Sequence, residues 1–260
     1  MTLISARLNG MEQMVEGTAD LDHGKVSIDG IEYKVEELAF TSPVRGTIYG
    51  TLLNYQGALK ELGEQVNHPP YKEAPKAPIL YIKPYNTISS HKRPIFLPDG
   101  IEELEMGAAL GIVFGKEAVN VSEAEALEYV EGYTVVNDVS IPHESVYRPP
   151  VKYKCRDGYC PAGPWTVDKD GINPDSLSIQ VYIDGKLVQQ NHTSNLIRSI
   201  PRLIADVTEF MTLYPGDMLL AGIPEGAPKA KNGDSVRINI ESIGSLENTI
   251  MREYKGGDDR

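Results

Sequence analysis

Much that would staple, anchor or electrostatically steer a chain is scarce here. Only two cysteines occur in 260 residues, Cys155 and Cys160, five positions apart. That leaves a disulfide, a metal pair or a thiol nucleophile open, but without a second ligand pair a zinc knuckle is not expected. Basic residues are outnumbered, 25 Lys+Arg against 37 Asp+Glu, for a formal charge of −12. Such a balance excludes nucleic acid as an expected partner, because phosphate neutralisation needs a cationic surplus, and disfavours an anionic membrane surface. No apolar run approaches the roughly 18 residues of a membrane helix, and Met1–Gly10 lacks a leader pattern. The reading is a cytoplasmic, soluble protein with reduced thiols, in which the glycosylation-like triplets at Asn120 and Asn191 carry no meaning. There is no internal repeat, no low-complexity segment, no Gly-rich phosphate loop at a strand–helix junction and no Ser in a G-x-S-x-G setting. At this length roughly 70% of the unfolded surface is buried on folding, so no staple is needed.

What is present concentrates between Asn137 and Trp165. Arg148, Lys152, Lys154 and Arg156 fall within nine positions with no acid among them. On an acidic background this is a candidate anion site, and arginine forks suit carboxylates. The alternative is a solvated charged loop. Asn137-Asp138 follows the apolar run Tyr133–Val136, which places a carboxylate at a strand end, suited to a metal or a substrate group. His143 and Glu144 form a candidate acid/base pair, since His titrates near neutrality; the alternative is a loop histidine in water. Cys155, flanked by cations, is either a thiol of lowered pKa or a packed one, and the packed reading is favoured.

The remaining pattern predicts a strand-rich α+β fold with few helices, not the regular strand–helix alternation of a doubly wound one. Residues 1–44 read as a small N-terminal β unit, with Val26 and Ile28 before Asp29-Gly30 and Ile31, Tyr33 and Val35 after it, a hairpin signature. Residues 45–254 form the main domain and 255–260 a polar tail. Strands are expected at Gly46–Leu53, Leu110–Phe114, Tyr133–Val136, Met218–Ala221 and Val236–Ile240, with a second hairpin at Asp184-Gly185. Helices are expected at Tyr55–Leu62, from the capping box Ser122–Glu125 to Gly132, and after Pro201 with an apolar stripe of Leu203, Ile204, Val207, Phe210 and Met211. Val66–Ile88, punctuated by prolines, reads as extended loop.

The order of short motifs is itself informative. Asn54-Tyr55, Lys83-Pro84, Leu97-Pro98, Val130–Tyr133 running into Asn137-Asp138, Lys154, Gly163-Pro164-Trp165, Asn191–Thr193, Leu213–Asp217, Ala221–Pro224 and Gly244–Asn248 succeed one another over residues 45–250. This series resembles the fumarylacetoacetate hydrolase (FAH) family. More narrowly, Pro142–Pro149 followed by Lys154–Pro161 is similar to the N-terminal-type unit of isomerase/decarboxylases of 4-hydroxyphenylacetate degradation. The resemblance implies an FAH-type mixed β-sandwich or β-roll. It also implies decarboxylation of 5-oxopent-3-ene-1,2,5-tricarboxylate or isomerisation of 2-hydroxyhepta-2,4-diene-1,7-dioate to 2-oxohept-3-ene-1,7-dioate. The alternatives are a non-catalytic partner subunit of a metal-bearing paralogue and an acylpyruvate-type hydrolase. The ligand expected is a dicarboxylate or tricarboxylate 2-oxo acid, and the assembly a homodimer or a heterodimer with a paralogue.

The resemblance also implies site residues. Family members bind Mg²⁺ or Mn²⁺ through a Glu-x-Glu pair and the Asp of Asn-Asp, here Asp138. Counting back without a gap from Gly115-Lys116 places that pair at Gly107 and Ala109, which carry no side-chain oxygen. Glu103 and Glu105 lie four positions earlier, in an expected loop, and only a shifted strand returns Glu105 to the site. A weak or absent metal is therefore expected. The helix after Asn54-Tyr55 has Ala58 where the family often has His, while Glu61 remains, and Gly222-Ile223-Pro224 replaces Gly-Thr-Pro. The expected catalytic residues are Lys154, Asp138, His143, Glu144 and Glu61. Lys154 is expected to steady an enolate or to pair with Asp138. Arg148 and Arg156 are expected on substrate carboxylates, with Tyr159, Thr193 and Gly222 lining the substrate.

Overall fold

The computed structural model describes residues 1–68, 72–143 and 150–253. The chain opens with β1 (Thr2–Leu8), β2 (Val15–Asp20), β3 (Lys25–Ile28) and β4 (Ile31–Lys34), then a short β5 (Phe40–Thr41). β6 (Ile48–Leu52), helix α1 (Gln56–Leu62), β7 (Ile79–Lys83), β8 (Ile88–Ser89), β9 (Ile95–Leu97), β10 (Glu103–Glu105), β11 (Ala108–Phe114) and β12 (Val130–Asn137) follow. The second half contains α2 (Val151–Lys154), β13 (Cys160–Asp168), β14 (Ser178–Ile183), β15 (Lys186–His192), α3 (Ile200–Thr208), β16 (Met218–Leu220), β17 (Lys229–Lys231), β18 (Ser235–Ile240) and β19 (Gly244–Arg252).

One 12-stranded sheet runs β4-β3-β2-β1-β13-β12-β11-β16-β6-β7, with β5 on β1 and β8 on β13. A five-stranded sheet, β15-β14-β18-β19-β9, packs against it. Ile112, Val135 and Val167 of the first sheet share one apolar core with Ile179, Ile238 and Leu246 of the second. This is the strand-rich, helix-poor mixed architecture that the pattern predicts. No helix among the described residues is long and apolar enough to cross a membrane.

Local chemistry explains the elements. Asp29 and Gly30 both take positive φ (51° and 76°), as do Asp184 and Gly185 (50° and 75°), which is what two-residue hairpins of the primed kind require. β11 is buried at every position because both its faces are covered: Leu110, Ile112 and Phe114 enter one apolar cluster, Ala109 and Val113 another. In α3, Ser199 Oγ caps Arg202 N, and Ile200, Leu203, Ile204 and Val207 face the core.

Four expectations are corrected. The N-terminal β unit is not set apart: β1 pairs antiparallel with β13, Ile4 opposite Val167, and Ile4, Ala6 and Ala19 join the common core. The helix expected over 122–132 is a turn and one 3₁₀ segment (Ala126–Tyr129) leading into β12. There Ser122 Oγ bonds Glu125 Oε2 directly, and Gly132 lies mid-strand, where a Cβ would sit 2.0 Å from Val167 O. It is a close-approach glycine, not a helix cap. Within the stretch read as loop, Pro78 and Pro84 bracket a strand, β7. The apolar stripe of α3 stops before Phe210, which is 65% exposed beyond the helix end.

Candidate active site

β12 delivers Asp138 into the interior, where it is 1% exposed. Its backbone N–H donates to Gly107 O at 2.8 Å, holding the turn against the strand leading into β11. Lys154, at the end of α2, places Nζ 2.9 Å from Asp138 Oδ2. Lys83, the last residue of β7, places Nζ 2.8 Å from Asp138 Oδ1. The Tyr81 hydroxyl also donates to Asp138 Oδ2. Lys83 further donates to Lys154 O (2.5 Å) and Tyr159 O (3.0 Å), which tie its ammonium to the α2 end and to the strand after it. The Tyr81 ring lies under Lys154, with Nζ 5.4 Å from its centroid.

Burial by itself raises a carboxyl pKa. Here the charges of Lys154 and Lys83, with hydrogen bonds from Lys83 and Tyr81, outweigh it and hold Asp138 well below the usual carboxylate range. Burial disfavours the Lys83 ammonium, yet the Asp138 charge keeps its pKa above the ordinary lysine value. Two ammoniums face one carboxylate, so the cluster keeps one uncompensated positive charge. A fixed cation in a low-dielectric site suits an anion or a developing enolate.

The structure brings Asp138 and Lys154 together and adds Lys83 and Tyr81, which the sequence reading passed over. The other expected residues are placed as follows. His143 is half-buried, its ring stacked on Tyr153 at 5.0 Å with Nδ1 2.9 Å from Ile141 O, and so is not a histidine loose in water. Glu144 and Arg148 lie outside the described residues. Arg156 is half-buried, and among the described residues it makes no ion pair and its Nε has no hydrogen-bond partner. The Tyr159 hydroxyl, expected to line the substrate, is spent on Phe96 O at 3.1 Å, and only its carbonyl reaches the cluster. The Thr193 hydroxyl is likewise engaged, accepting from Leu177 N at 2.8 Å. Glu61 is exposed on α1 and makes none of the contacts that join the cluster. Gly222 takes φ +126° beside Asn54 and Tyr55. Cys155 and Cys160 are free thiols. Burial raises both, Cys160 to about 12, in spite of the nearby lysines, so the half-buried Cys155 is not a thiol of lowered pKa.

The residues here do not fit the family's divalent metal. A Cβ at Gly107 would lie 2.4 Å from Asp138 O and 2.8 Å from Ile223 Cδ1, so no side chain is accommodated. Ala109 packs among Val113, Val136 and Met218. Glu103 and Glu105 belong to a strand, β10, not a loop. Glu103 pairs with Lys229 at 2.7 Å and Glu105 accepts from Ser140 Oγ at 3.2 Å. The register sets Glu105 opposite Ser140, so the shift that would restore it does not occur. Among the described residues no group of three His, Cys, Asp or Glu is placed to hold a metal ion.

The two packed mixed sheets and a lysine-flanked aspartate at a strand end define a β-roll protein with a buried cationic site. The chain belongs to the fumarylacetoacetate hydrolase family: the family profile "Fumarylacetoacetate (FAA) hydrolase C-terminal" matches residues 47–251. It is 42% identical over 219 residues to the 4-hydroxyphenylacetate degradation bifunctional isomerase/decarboxylase of Salmonella dublin, covering 82% of this chain and 49% of that protein. The chain thus spans about half the length of that relative. Among solved structures it is similar to the 5-carboxymethyl-2-hydroxymuconate delta-isomerase of Mycobacterium smegmatis (28% identity, TM-score 0.80, 97% of this chain and 100% of that one). The 2-hydroxyhepta-2,4-diene-1,7-dioate isomerase of Mycobacterium marinum is similar to the same degree (26%, TM-score 0.80, 98% and 100%).

Proposed function

We propose that this chain is a decarboxylase/isomerase unit acting on unsaturated 2-oxo-diacids. The step assigned is decarboxylation of 5-oxopent-3-ene-1,2,5-tricarboxylate or isomerisation of 2-hydroxyhepta-2,4-diene-1,7-dioate to 2-oxohept-3-ene-1,7-dioate. The observation that carries this reading is the buried Lys83–Asp138–Lys154 cluster with its excess positive charge. Both reactions pass through a dienolate. In the decarboxylation, the C–C bond to the departing carboxylate breaks and its electron pair moves through the double bond to the keto oxygen. In the isomerisation, the enol proton leaves and a proton returns at the far end of the diene. In each, Lys154 Nζ, with the small exposure of its side chain, is the cation that meets the oxygen where charge develops. Asp138 and Lys83 fix its position, and Arg156 is assigned to a terminal carboxylate of the substrate. The assembly is a dimer of FAH-type units, either two copies or this chain with a paralogue.

The test is turnover of each substrate by the purified chain, followed in the ultraviolet, with EDTA and then with excess Mg²⁺. Turnover indifferent to both, and lost in Lys154→Ala, supports the reading; turnover that requires Mg²⁺ removes it. A second reading is favoured by one observation, that a relative of about twice this length contains the matching segment. In it the chain completes a metal-bearing paralogue, and activity appears only on mixing.

A further inference from the structure

A second polar cluster, centred on Glu225, shares no hydrogen bond or ion pair with the lysine cluster among the described residues. Asn191 Nδ2 donates to Glu225 Oε1 at 3.1 Å, and Gln189 Nε2 donates to Glu225 O at 2.6 Å. Both come from β15, so one strand grips the carboxylate and its main chain together. On the other side α1 makes room: a Cβ at Gly57 would lie 1.9 Å from Glu225 Cδ. Tyr55, wholly buried at the start of α1, has its phenol pKa raised by burial and further by the Glu225 charge. The missing side chain at Gly57, Asn191 on the carboxylate and Gln189 on the main-chain carbonyl thus seat Glu225.

Three buried polar atoms of this cluster have no hydrogen-bond partner among the described residues: Glu225 Oε2, Gln189 Oε1 and Tyr55 Oη. Leaving such atoms unmet costs about 1–3 kcal/mol each. Two acceptors beside a hydroxyl are complementary to a group that both donates and accepts, which is what a hydroxyl does. Only the carboxylate among them can also accept the proton and return it. The cluster adjoins the Asp138 turn through Ile223, two residues before Glu225, whose Cδ1 covers Gly107. Gly107 O in turn accepts from Asp138 N.

We infer that Glu225 is the proton carrier of this site, that Asn191 and Gln189 are its positioning residues, and that the enolic hydroxyl of the substrate meets Glu225 Oε2. The inference rests on the function proposed above. In the isomerisation the enol O–H bond breaks and its proton passes to Glu225. The freed electron pair forms the C=O bond, and the double bonds shift by one carbon pair. A new C–H bond at the far end of the diene takes its proton from the Glu225 carboxyl. The carboxylate is regenerated, and no oxidant or co-reactant is required.

The experiment is isomerisation of 2-hydroxyhepta-2,4-diene-1,7-dioate by the full chain in H₂O and D₂O, comparing wild type with Glu225→Gln, Glu225→Asp and Asn191→Ala. Glu225→Gln is expected to lower kcat about 100-fold or more with KM little changed, and to flatten the acidic limb of the pH profile. Asn191→Ala is expected to move that limb while the melting temperature stays near wild type. Should Glu225→Gln not fold, Glu225→Asp, which keeps the charge but shortens the reach, is read instead, with a clear loss in kcat expected. Wild-type turnover together with unchanged kcat and pH profile in the Glu225 variants overturns this inference and leaves the proposed function standing. A wild type that decarboxylates the tricarboxylate but does not isomerise this dienol overturns this inference alone, and one that turns over neither, alone or with its paralogue, overturns both.

Discussion

Gly50 and Tyr81 face each other across the β6–β7 pair, and a methyl group on Gly50 would lie 2.0 Å from Tyr81 Cζ. The absent side chain of one residue is the space that lets the other reach Asp138. Gly50→Ala is therefore expected to destabilise by about 3 kcal/mol, at the upper end for overpacking, and to lose turnover. Adding Tyr81→Val should restore the melting temperature but not the rate. Equal melting temperatures for wild type and Gly50→Ala would show that Tyr81 has room to move.

Asp138 is the one carboxylate that faces two buried ammoniums, so its loss should cost more than the loss of either lysine. Asp138→Asn leaves Lys83 and Lys154 uncompensated and is expected to destabilise by about 3–5 kcal/mol. Lys83→Met keeps the Lys154–Asp138 pair and should cost less. Urea unfolding of both variants decides the order.

His91 gives the fold a dependence on mild acid. Its Nδ1 accepts from Glu247 N, and burial, helped by the charge of Lys92, lowers its pKa from 6.5 to about 4. The unfolded chain binds a proton to this residue below pH 6.5, while the folded chain does so only near 4. The resulting stability is full above pH 6.5 and lost as pH falls towards 4, on the order of 3 kcal/mol in all. His91→Asn should narrow the stability difference between pH 7.5 and 4.5; an unchanged difference would remove His91 as its source.

Restoring the family's acidic pair should not create a metal site. In Gly107→Glu/Ala109→Glu, the new Cβ at 107 meets Asp138 O at 2.4 Å. The double variant is expected to melt earlier than wild type and to show no thermal stabilisation in excess MnCl₂. A rise in melting temperature with Mn²⁺ would mean that the Asp138 turn yields.

The thiols beside the lysines should be sluggish. With Cys160 raised to about 12 by burial, and Cys155 raised as well, alkylation at neutral pH should be slow until the chain unfolds. Mass spectrometry before and after denaturation would show any rapid labelling.

Much of the fold was legible wherever local chemistry was decisive. The Asp-Gly turns, the unbroken apolar run of β11 and the helix announced by Pro201 needed no tertiary information. The helix expected after Ser122 failed because a capping box reports an onset and not a continuation, and Gly132 serves contact with Val167 instead. At the site, Asp138 and Lys154 stood out as a strand-end carboxylate and a cation in an acid-free run. Lys83 and Tyr81 did not, because a strand bracketed by prolines looks like loop and a lysine gives no sign of its burial. The available signal was Ile79-Leu80-Tyr81-Ile82, an apolar run ending at that lysine. Glu225 was hidden because its role depends on β15 and α1, which are far apart in sequence.

The pairing of β1 with β13 sets an order on the birth of the molecule. Ile4 is synthesised some 160 residues before its partner Val167. The meander from β1 to β4 can form from neighbours in sequence, yet until then one edge of β1 has no strand to bond. Non-local pairing of this kind slows folding and exposes an edge to stray association. The meander of β1 to β4 thus waits as a half-sheet until β13 is made, and slower translation between residues 40 and 160 would lengthen that wait.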